Sequence, residues 1–384
     1  MVIVLCATPR QENIPMDRRK FVGAAGLAGA AGLLGACGQS TGTSDCGEQQ
    51  SSSETFEWKM VTSWPRDFPG LGTGANHLAE TITRLSNGRL QIKVYGGNEL
   101  VPPFEVFDAV HQGAAEMAHS APYYWKGKAP AARVFAGIPF GMTAQELHGW
   151  IYHGGGLELW REVYAPHGIV PFLAASSGPQ MGGWFNREIN SVDDLKGLKM
   201  RIPGLGGEIL KRAGGTPTNI PAAELFTALQ TGAIDATEWV GPYNDLALGF
   251  FRAARYYYYP GWHEPGTALE CMVNAQAWES LPDDLQAVVE VACQASVMET
   301  LSEFTYNNGV ALNRLIEEHG VELRRFPDDV LQHLDSISKQ VMEDLSMEDE
   351  MMGQIYASFL AFQEVVNPWT DISDRTILNL RPAS

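Results

Sequence analysis

The chain has 384 residues, 45% of them hydrophobic, which is enough for two domains and a large core. Its 27 Lys and Arg residues stand against 45 Asp and Glu residues, so the formal net charge is −18. No basic stripe is available to displace counterions from phosphates, and a nucleic-acid partner is therefore not expected.

The first 37 residues have the features of an export signal. Three basic residues, 18–20, precede a Gly/Ala-rich run, 21–36, that is too short and too weakly hydrophobic for a membrane span. The Arg pair followed by Phe21 is typical of a twin-arginine signal, and an ordinary secretory signal with an incidental Arg pair is the alternative. Small residues directly before Cys37 form the pattern that precedes a lipid-modified cysteine. We therefore expect a periplasmic protein, lipid-anchored if Cys37 is modified.

The segment that follows, residues 38–55, is rich in Ser, Gly and Thr and is predicted to be a flexible tether. Residues before Met16 have no signal character, which favours Met16 as the true start. Cys271 and Cys293 lie in apolar patterns and are predicted to be buried free thiols. The sequence has no cysteine spacing typical of a metal site.

Alternating strand and helix patterns predict a first α/β lobe over residues 56–175, with parts of the C-terminal region packed on it. Its elements are strand Phe56–Val61, helix Gly74–Leu85, strand Leu90–Tyr95, helix 103–112 and strand 115–119. This βαβαβ order implies a parallel sheet whose strand ends face a crevice.

A second α/β lobe is predicted over residues 176–280. Its elements are strand Leu198–Ile202, helix Gly206–Ala213, strand Thr216–Ile220, helix Ala222–Thr231 and strand Ile234–Glu238, with strands Tyr256–Tyr259 and Leu269–Val273 as further candidates. Strands Gly168–Ala175 and Gly182–Phe185 are expected to cross between the lobes. Residues 281–384 are predicted to be mostly helical, over Leu281–Glu317 and Asp328–Val365 with a break near Ser346. This is more helix than two lobes need, which favours a role in binding another chain.

A short repeat supports the two-lobed prediction. EVFDAVHQGAA at Glu105–Ala115 and ELFTALQTGAI at Glu224–Ile234 both predict a helix that stops at Gly and continues into an apolar strand. Gly is expected just past a helix end because it adopts a positive φ without steric cost. Two similar lobes form a cleft, which is a preferred place for a ligand. A chance match between two ordinary α/β units is the alternative.

The enzyme signatures in the sequence are incomplete. Gly70–Gly72 imitates a dinucleotide fingerprint, but the next strand ends without the acidic residue that would hold a ribose. His153–Gly156 resembles an esterase loop without a matching nucleophile motif, and no HExxH zinc motif is present. We therefore expect no catalytic activity. A secreted metal-dependent enzyme acting on an organic acid is the alternative.

Arg201 is the strongest candidate for binding an anion. It ends a predicted strand just before a Gly-rich turn that opens a helix. A guanidinium beside helix N–H groups suits a planar carboxylate through two parallel hydrogen bonds. A structural Arg paired to a local acid explains the pattern equally well.

Five motifs make a family resemblance specific. They are GPQMGGWFNREI at 178–189, GLKMRIPG at 197–204, AIDATEWVGPYND at 233–245, GFF at 249–251 and YYYYPGWHEPG at 256–266. With them, the chain from about Phe56 to Arg381 resembles the solute-binding subunits of tripartite ATP-independent periplasmic (TRAP) transporters. The greatest similarity is to the branch that binds 2-oxo acids and related monocarboxylates.

This resemblance implies a two-lobed α/β periplasmic binding protein, with hinge-connected domains and a long helical C-terminal region. Arg201 would bind the carboxylate of a small organic acid, with Gln180 beside it. It further implies that Glu238 and the backbone carbonyl of Trp239 hold a metal ion that bridges to the solute. Glu264 falls where some relatives have Gln.

The resemblance also bears on the ion and the partners. Oxygen ligands select hard cations, and the extra carboxylate of Glu264 favours Ca²⁺ over Na⁺. Tyr123, Tyr124 and Trp125 are expected to form an apolar wall, with Tyr124 contacting the solute. The expected partners are separate TRAP membrane subunits, and relatives of the 2-oxo acid branch suggest a homodimer although many others are monomers. A receptor for a different acidic solute is a further alternative.

Overall fold

The computed structural model of the chain describes residues 54–382, where two β-sheets form the framework. The predicted export signal, including Met16 and Cys37, lies outside the described residues, as does nearly all of the tether at 38–55. Over residues 54–382, no helix combines the length and the apolar character needed to cross a bilayer.

The first sheet has five strands. Numbered in chain order, these are β1 Phe56–Thr62, β2 Leu90–Tyr95, β3 Met117–Ser120, β4 Ile169–Gly178 and β10 Thr267–Asn274. The order across the sheet is β2-β1-β3-β10-β4. The predicted parallel pairing is confirmed for β1 with β2 and β3, but β10 runs antiparallel to both of its neighbours. The sheet is therefore mixed, because a strand from much later in the chain returns to it.

The second sheet has six strands. These are β5 Gly183–Phe185, β6 Lys199–Arg201, β7 Thr216–Thr218, β8 Ala236–Thr237, β9 Tyr256–Tyr259 and β11 Glu322–Arg325, in the order β11-β9-β5-β8-β6-β7. The sheets do not follow the predicted residue boundaries throughout. Strand β10 falls within 176–280, the range predicted for the second lobe, but pairs in the first sheet. Strand β11 falls within the predicted C-terminal region but pairs in the second sheet.

Twelve α-helices surround the sheets in the described part of the chain. They are α1 Gly72–Leu85, α2 Val106–His111, α3 Ala144–His153, α4 Gly156–Tyr164, α5 Gly204–Arg212, α6 Ala222–Gln230, α7 Pro242–Leu248, α8 Ala275–Ser280, α9 Asp283–Glu317, α10 Asp328–Glu348, α11 Glu350–Ile372 and α12 Asp374–Leu380. The break between α10 and α11 comes at Asp349, whose carboxylate caps α11 by accepting a hydrogen bond from Met352 N at 2.7 Å. It thus lies slightly beyond the predicted position.

Both copies of the sequence repeat fold as predicted. Helix α2 is followed by Gly113, with φ +71°, and then by β3; helix α6 is followed by Gly232, with φ +72°, and then by β8. Each of these strands lies inside its sheet rather than at an edge. The helix–Gly–strand unit therefore places an equivalent strand in each lobe.

The chain passes between the two sheets several times. It leaves the first sheet after β4, returns with β10, and reaches the second sheet again at β11. Helix α9 packs against α1 and β4 on the first lobe and against α7 on the second. The predicted thiols Cys271 and Cys293 are both buried and free, the first on β10 and the second on α9. Helix α9 thus contacts both halves of the fold.

Candidate functional site

Arg201 ends strand β6 and is a buried cation, with a side chain that is 1% exposed. Its Nη1 donates to the Glu238 carboxylate and, at 3.1 Å, to the Glu238 carbonyl oxygen. Its Nε donates to the Ile220 carbonyl at 3.3 Å, and Nη2 lies 3.4 Å from the Tyr124 hydroxyl. The guanidinium carbon lies 5.0 Å from the centre of the Trp239 ring. Arg201 thus pairs with a local acid and also contacts Tyr124 of the other lobe.

The Gly-rich turn after Arg201 brings the two lobes into contact. Gly204 begins helix α5 with φ +59°, a conformation that favours glycine. A Cβ at this position would lie 3.0 Å from Tyr123 Cβ, so a larger residue would push against the other lobe. The tyrosines of residues 122–125 therefore approach Arg201 from across the cleft.

Glu238 follows strand β8 and has two partners. One carboxylate oxygen accepts from Arg201, and the other lies 3.3 Å from His263 Nε2. The Glu238 amide also donates to the Arg201 carbonyl at 3.2 Å, which fixes the backbone of the two residues together. Ligand atoms of Glu238, His263 and Glu264 all lie within 4.8 Å of one another and are buried. Glu238 is thus the centre of a buried polar cluster.

Glu264 belongs to the same cluster through Gln180 and Thr267. Gln180 Nε2 donates to Glu264 Oε2 at 2.6 Å, and the Thr267 hydroxyl donates to the same oxygen at 2.8 Å. Burial, followed by the nearby charge of Glu238, raises the pKa of Glu264 to about 7. Two carboxylates this close together in a buried place repel each other when both are ionised, so ionisation of both is disfavoured.

These residues fit a bound cation. The buried Gln180 Oε1 has no hydrogen-bond partner among residues 54–382. In a regular helical turn the Tyr243 N–H would donate to the Trp239 carbonyl. Here it donates to Asn308 Oδ1 at 3.0 Å instead. Carboxylate, amide and backbone oxygens are the ligands that hard cations prefer, and a cation here would offset the charge of the two carboxylates.

Beside the cluster is a very small cavity of about 10 Å³, lined by aromatic, aliphatic and a few polar side chains. Its lining residues are Trp64, Leu71, Tyr123, Tyr124, Ser177, Gln180, Trp239, Val240 and Leu269. The rings of Trp64 and Tyr124 come from the first lobe and that of Trp239 from the second. The centre of the Trp64 ring lies 6.3 Å from that of Tyr124 and 6.3 Å from that of Trp239. Both lobes therefore contribute walls to the cavity.

The structure brings all six predicted site residues together: Gln180, Arg201, Tyr124, Glu238, Trp239 and Glu264. The prediction that Trp125 joins the apolar wall is wrong. Its indole turns into the core and donates to Glu270 at 2.6 Å, because a buried N–H needs an acceptor. Sequence reasoning also missed His263, although its position directly before Glu264 in an aromatic turn was a usable signal.

Comparison with known proteins agrees with this geometry. Residues 60–349 match the family model DctP, described as bacterial extracellular solute-binding protein, family 7. A protein from Nostoc sp. (strain PCC 7120) named monocarboxylate 2-oxoacid-binding periplasmic protein is 40% identical over 369 residues, which cover 96% of this chain and 100% of that one.

Three TRAP solute-binding protein structures superpose with a TM-score of 0.83 each. That from Colwellia psychrerythraea, with bound calcium and pyruvate, is 44% identical and covers 85% of this chain and 99% of its own. The structure from Pseudoalteromonas atlantica, with bound sodium and pyruvate, is 42% identical, and the match covers 86% of this chain and 100% of that one. The structure from Bordetella bronchiseptica is 38% identical, and the match covers 85% of this chain and 97% of that one. It is described as a mixed-occupancy dimer with calcium and picolinate in one active site and the other site empty.

The family match extends over most of the chain, the Nostoc relative aligns along its whole length, and the two-sheet fold is that of the solved structures. The chain therefore belongs to the DctP family, the extracellular solute-binding proteins of TRAP transporters.

Proposed function

We propose that this receptor binds a small 2-oxo or 2-hydroxy monocarboxylate together with one metal ion, Ca²⁺ in preference to Na⁺. The observation that carries the proposal is the buried cation Arg201 beside the oxygen cluster of Gln180, Glu238 and Glu264. The ligands named for the similar structures, pyruvate with calcium or with sodium, agree with this chemistry.

Each polar residue has a proposed role in holding the solute. Arg201 takes the carboxylate through its guanidinium, with the Tyr124 hydroxyl beside it. Glu238, Glu264, the Gln180 amide oxygen and the Trp239 carbonyl hold the ion. The bound ion supplies positive charge to the carboxylate and the adjacent 2-oxo or 2-hydroxy oxygen of the solute.

The ion and the solute are expected to bind cooperatively. In this structure Arg201 donates to the Glu238 carboxylate, so each group occupies part of the other's hydrogen-bonding capacity. Turning Glu238 toward an ion releases part of the guanidinium for a solute carboxylate, and occupation of Arg201 by the solute favours the same rearrangement. Such coupling is reciprocal, so calcium and solute should each raise the affinity for the other.

The cavity favours a single carboxylate. Among the described residues that line it there is no Lys, Arg or His, so a second carboxylate would be buried without a charged partner. The aromatic and aliphatic walls suit a short apolar tail instead. A dicarboxylate or a polar sugar acid is therefore disfavoured.

We propose that the chain is a receptor without catalytic activity. Ser177 is the nucleophile-type side chain among the described lining residues, and its hydroxyl donates to the Gly178 carbonyl at 3.3 Å and accepts from Gln180 rather than facing a base. Glu238 accepts from Arg201 on one oxygen and lies 3.3 Å from His263 Nε2 on the other, which leaves no evident acid–base pair for the solute.

The remaining proposals concern location and assembly. We propose export by the twin-arginine route, a periplasmic location with Cys37 as a lipid anchor, and delivery of the solute to separate membrane subunits. We also propose a homodimer formed through the C-terminal helices. Exposed apolar side chains on α11 and α12 support it: Val365, Trp369, Ile372, Ile377, Leu378 and Leu380. The Bordetella structure is described as a dimer.

The test is a thermal-shift screen of chelator-treated protein with pyruvate, longer 2-oxo acids, lactate and a C4 dicarboxylate, each with calcium, with sodium or with neither. A ligand that binds only the folded state raises the melting temperature. We expect the largest shift with a 2-oxo monocarboxylate plus calcium and an unchanged acid by NMR afterwards. Consumption of the acid would favour an enzyme, and a larger shift with the dicarboxylate would contradict the solute class.

A further inference from the structure

Two carboxylates outside the site, Glu270 and Asp245, are buried and have the same two kinds of hydrogen-bond donor. Each accepts one indole N–H and one phenol O–H. Glu270 on β10 accepts from Trp125 Nε1 at 2.6 Å and from the Tyr164 hydroxyl at 2.7 Å, one on each oxygen. Because burial raises its pKa to about 8, Glu270 is a group that the fold keeps at a cost in free energy.

Asp245 on helix α7 has the matching arrangement in the second lobe. Its Oδ2 accepts from Trp184 Nε1 at 3.0 Å and from the Tyr257 hydroxyl at 2.7 Å. Trp184 and Tyr257 are directly opposite each other on strands β5 and β9, and their rings stack with centres 4.1 Å apart. Helix α7 is thereby tied to a rigid pair of strands.

Each carboxylate supports a segment that carries site residues. Trp125 ends the short helical turn Pro122–Trp125, whose Tyr124 hydroxyl lies 3.4 Å from Arg201. On the other lobe, the loop between β8 and α7 contains Glu238 and Trp239, with Glu238 joined to Arg201. An indole N–H has a fixed direction, so its acceptor fixes the ring and the backbone that bears it.

We propose that Glu270 and Asp245 are positioning residues, one for each half of the proposed solute site. Glu270 holds the turn that presents Tyr124 to the solute. Asp245 holds the loop that presents Glu238 and the Trp239 carbonyl to the ion. The inference rests on the proposed function, since it assigns the two halves to solute and ion. If packing alone were required, apolar side chains of similar volume would serve as well as a buried carboxylate.

The experiment compares Glu270→Leu and Asp245→Leu in the purified receptor by two titrations. Pyruvate affinity is measured by calorimetry at saturating calcium, and ion affinity by terbium luminescence sensitised by nearby tryptophan. Leaving a buried indole N–H without an acceptor should cost Glu270→Leu about tenfold in pyruvate affinity, with terbium affinity little changed. Loss of support for ion ligands should cost Asp245→Leu about 10- to 100-fold in terbium affinity, with little change in pyruvate affinity once calcium is saturating.

Glu146→Gln is the matched control, because Glu146 is a buried carboxylate whose hydrogen-bond partners, Thr143 and Thr370, belong to neither site segment. It should lower the melting temperature without changing either affinity. Glu270→Gln should restore pyruvate binding, since an amide oxygen still accepts from Trp125 and an amide N–H can donate to the Tyr164 oxygen. If the Leu variants do not fold, Trp125→Phe and Trp184→Phe are used instead, since they remove the indole N–H and part of the ring but keep an aromatic side chain and both carboxylates.

The outcomes separate the alternatives. A loss of melting temperature with both affinities unchanged, or an equal fall in both affinities for both variants, would overturn the positioning roles. Failure of the wild-type receptor to bind terbium and pyruvate would instead count against the proposed function itself.

Discussion

Arg201 and Glu238 form an ion pair in which both side chains are 1% exposed. Burial lowers the pKa of Arg201, but Glu238 and the adjacent tyrosines raise it, so the guanidinium stays charged. Removing one partner of such a pair leaves an uncompensated buried charge, which is costly, whereas a change that keeps the charge tests geometry alone.

Arg201→Lys should nearly abolish solute binding while the fold stays intact. A lysine supplies a point charge without the two-pronged geometry, and loss of a desolvated bidentate contact costs on the order of 2–4 kcal/mol. Calorimetric titration with pyruvate and calcium measures the loss, and circular dichroism checks the fold. Wild-type affinity in this variant would remove Arg201 from the solute site.

Glu264→Gln should shift the ion preference from calcium toward sodium. The two ligand carboxylates and the solute carboxylate bring three negative charges, and Arg201 brings one positive charge. A divalent ion neutralises the remaining charge, and a monovalent ion does not. Burial raises the pKa of Glu264 to about 7, so the titrations belong at about pH 8, where more of it is ionised. Equal solute affinity in sodium and in calcium for the wild type would show that the Glu264 charge does not select the ion.

Glu270 should contribute a fall in the stability of the protein as pH rises. Burial raises the pKa of this carboxyl from its ordinary 4.5 to about 8. Between those values the folded chain holds a proton that the unfolded chain has released, so the free energy of unfolding decreases with rising pH. Below 4.5 both states are protonated and the loss is absent. Above about pH 8 the loss is complete.

Glu270→Gln should flatten this decline without abolishing it, because burial also raises the pKa of Asp245, to about 7. Melting temperatures of the wild type and the variant from pH 4 to 9 provide the measurement. Parallel curves would show that Glu270 does not titrate between the folded and unfolded states.

At the scale of single residues, the sequence predicts the site residues that lie in recognisable motifs. It does not predict the residues that hold them in place. Arg201 and Glu238 were identifiable because each closes a strand within a specific motif. Glu270 was not, because a glutamate inside an apolar strand gives no sign of the tryptophan that is 145 residues away and donates to it. Such pairings depend on tertiary contacts that residue spacing does not record.

Among the elements, strongly patterned helices and strands were predictable and the weakly patterned ones were not. Helices α3 and α4 were missed, although Thr143 and Glu146 form a capping box that marks the start of α3. Strand β11, with the sequence ELRR, has no apolar alternation and forms only because β9 offers it an edge. Strand direction for β10 was also beyond prediction, since a short apolar run does not reveal its partner.

The exposed stripe on α11 and α12 leads to a prediction about assembly. Trp369 and Ile372 are 65% and 72% exposed, so apolar surface is left for a second copy to cover. Trp369→Glu with Ile372→Glu should give a monomer by light scattering at micromolar concentration. Met298→Glu, at an equally exposed position on α9, is the control and should leave the mass unchanged. A monomer mass for the wild-type protein would contradict the proposed dimer.

Across the whole molecule, the cavity walls come from both lobes, so binding should favour the closed arrangement. We expect the radius of gyration from small-angle scattering to decrease when calcium and pyruvate are added to chelator-treated protein. Arg201→Lys should show no decrease at the same concentrations, because it lacks the contact that joins the solute to the second lobe. An unchanged radius in the wild type would mean that the cleft is already closed without ligand.

The position of β10 between β3 and β4 also has a consequence for synthesis. The ribosome must produce residues up to Asn274 before the first sheet can be completed. Until then β3 has an open edge, with backbone groups free to pair with other nascent chains. Pairing across so long a separation is intrinsically slow. The amino-terminal lobe therefore cannot finish folding ahead of the rest, and a polypeptide that stops at Gly178 should aggregate rather than yield a separable domain.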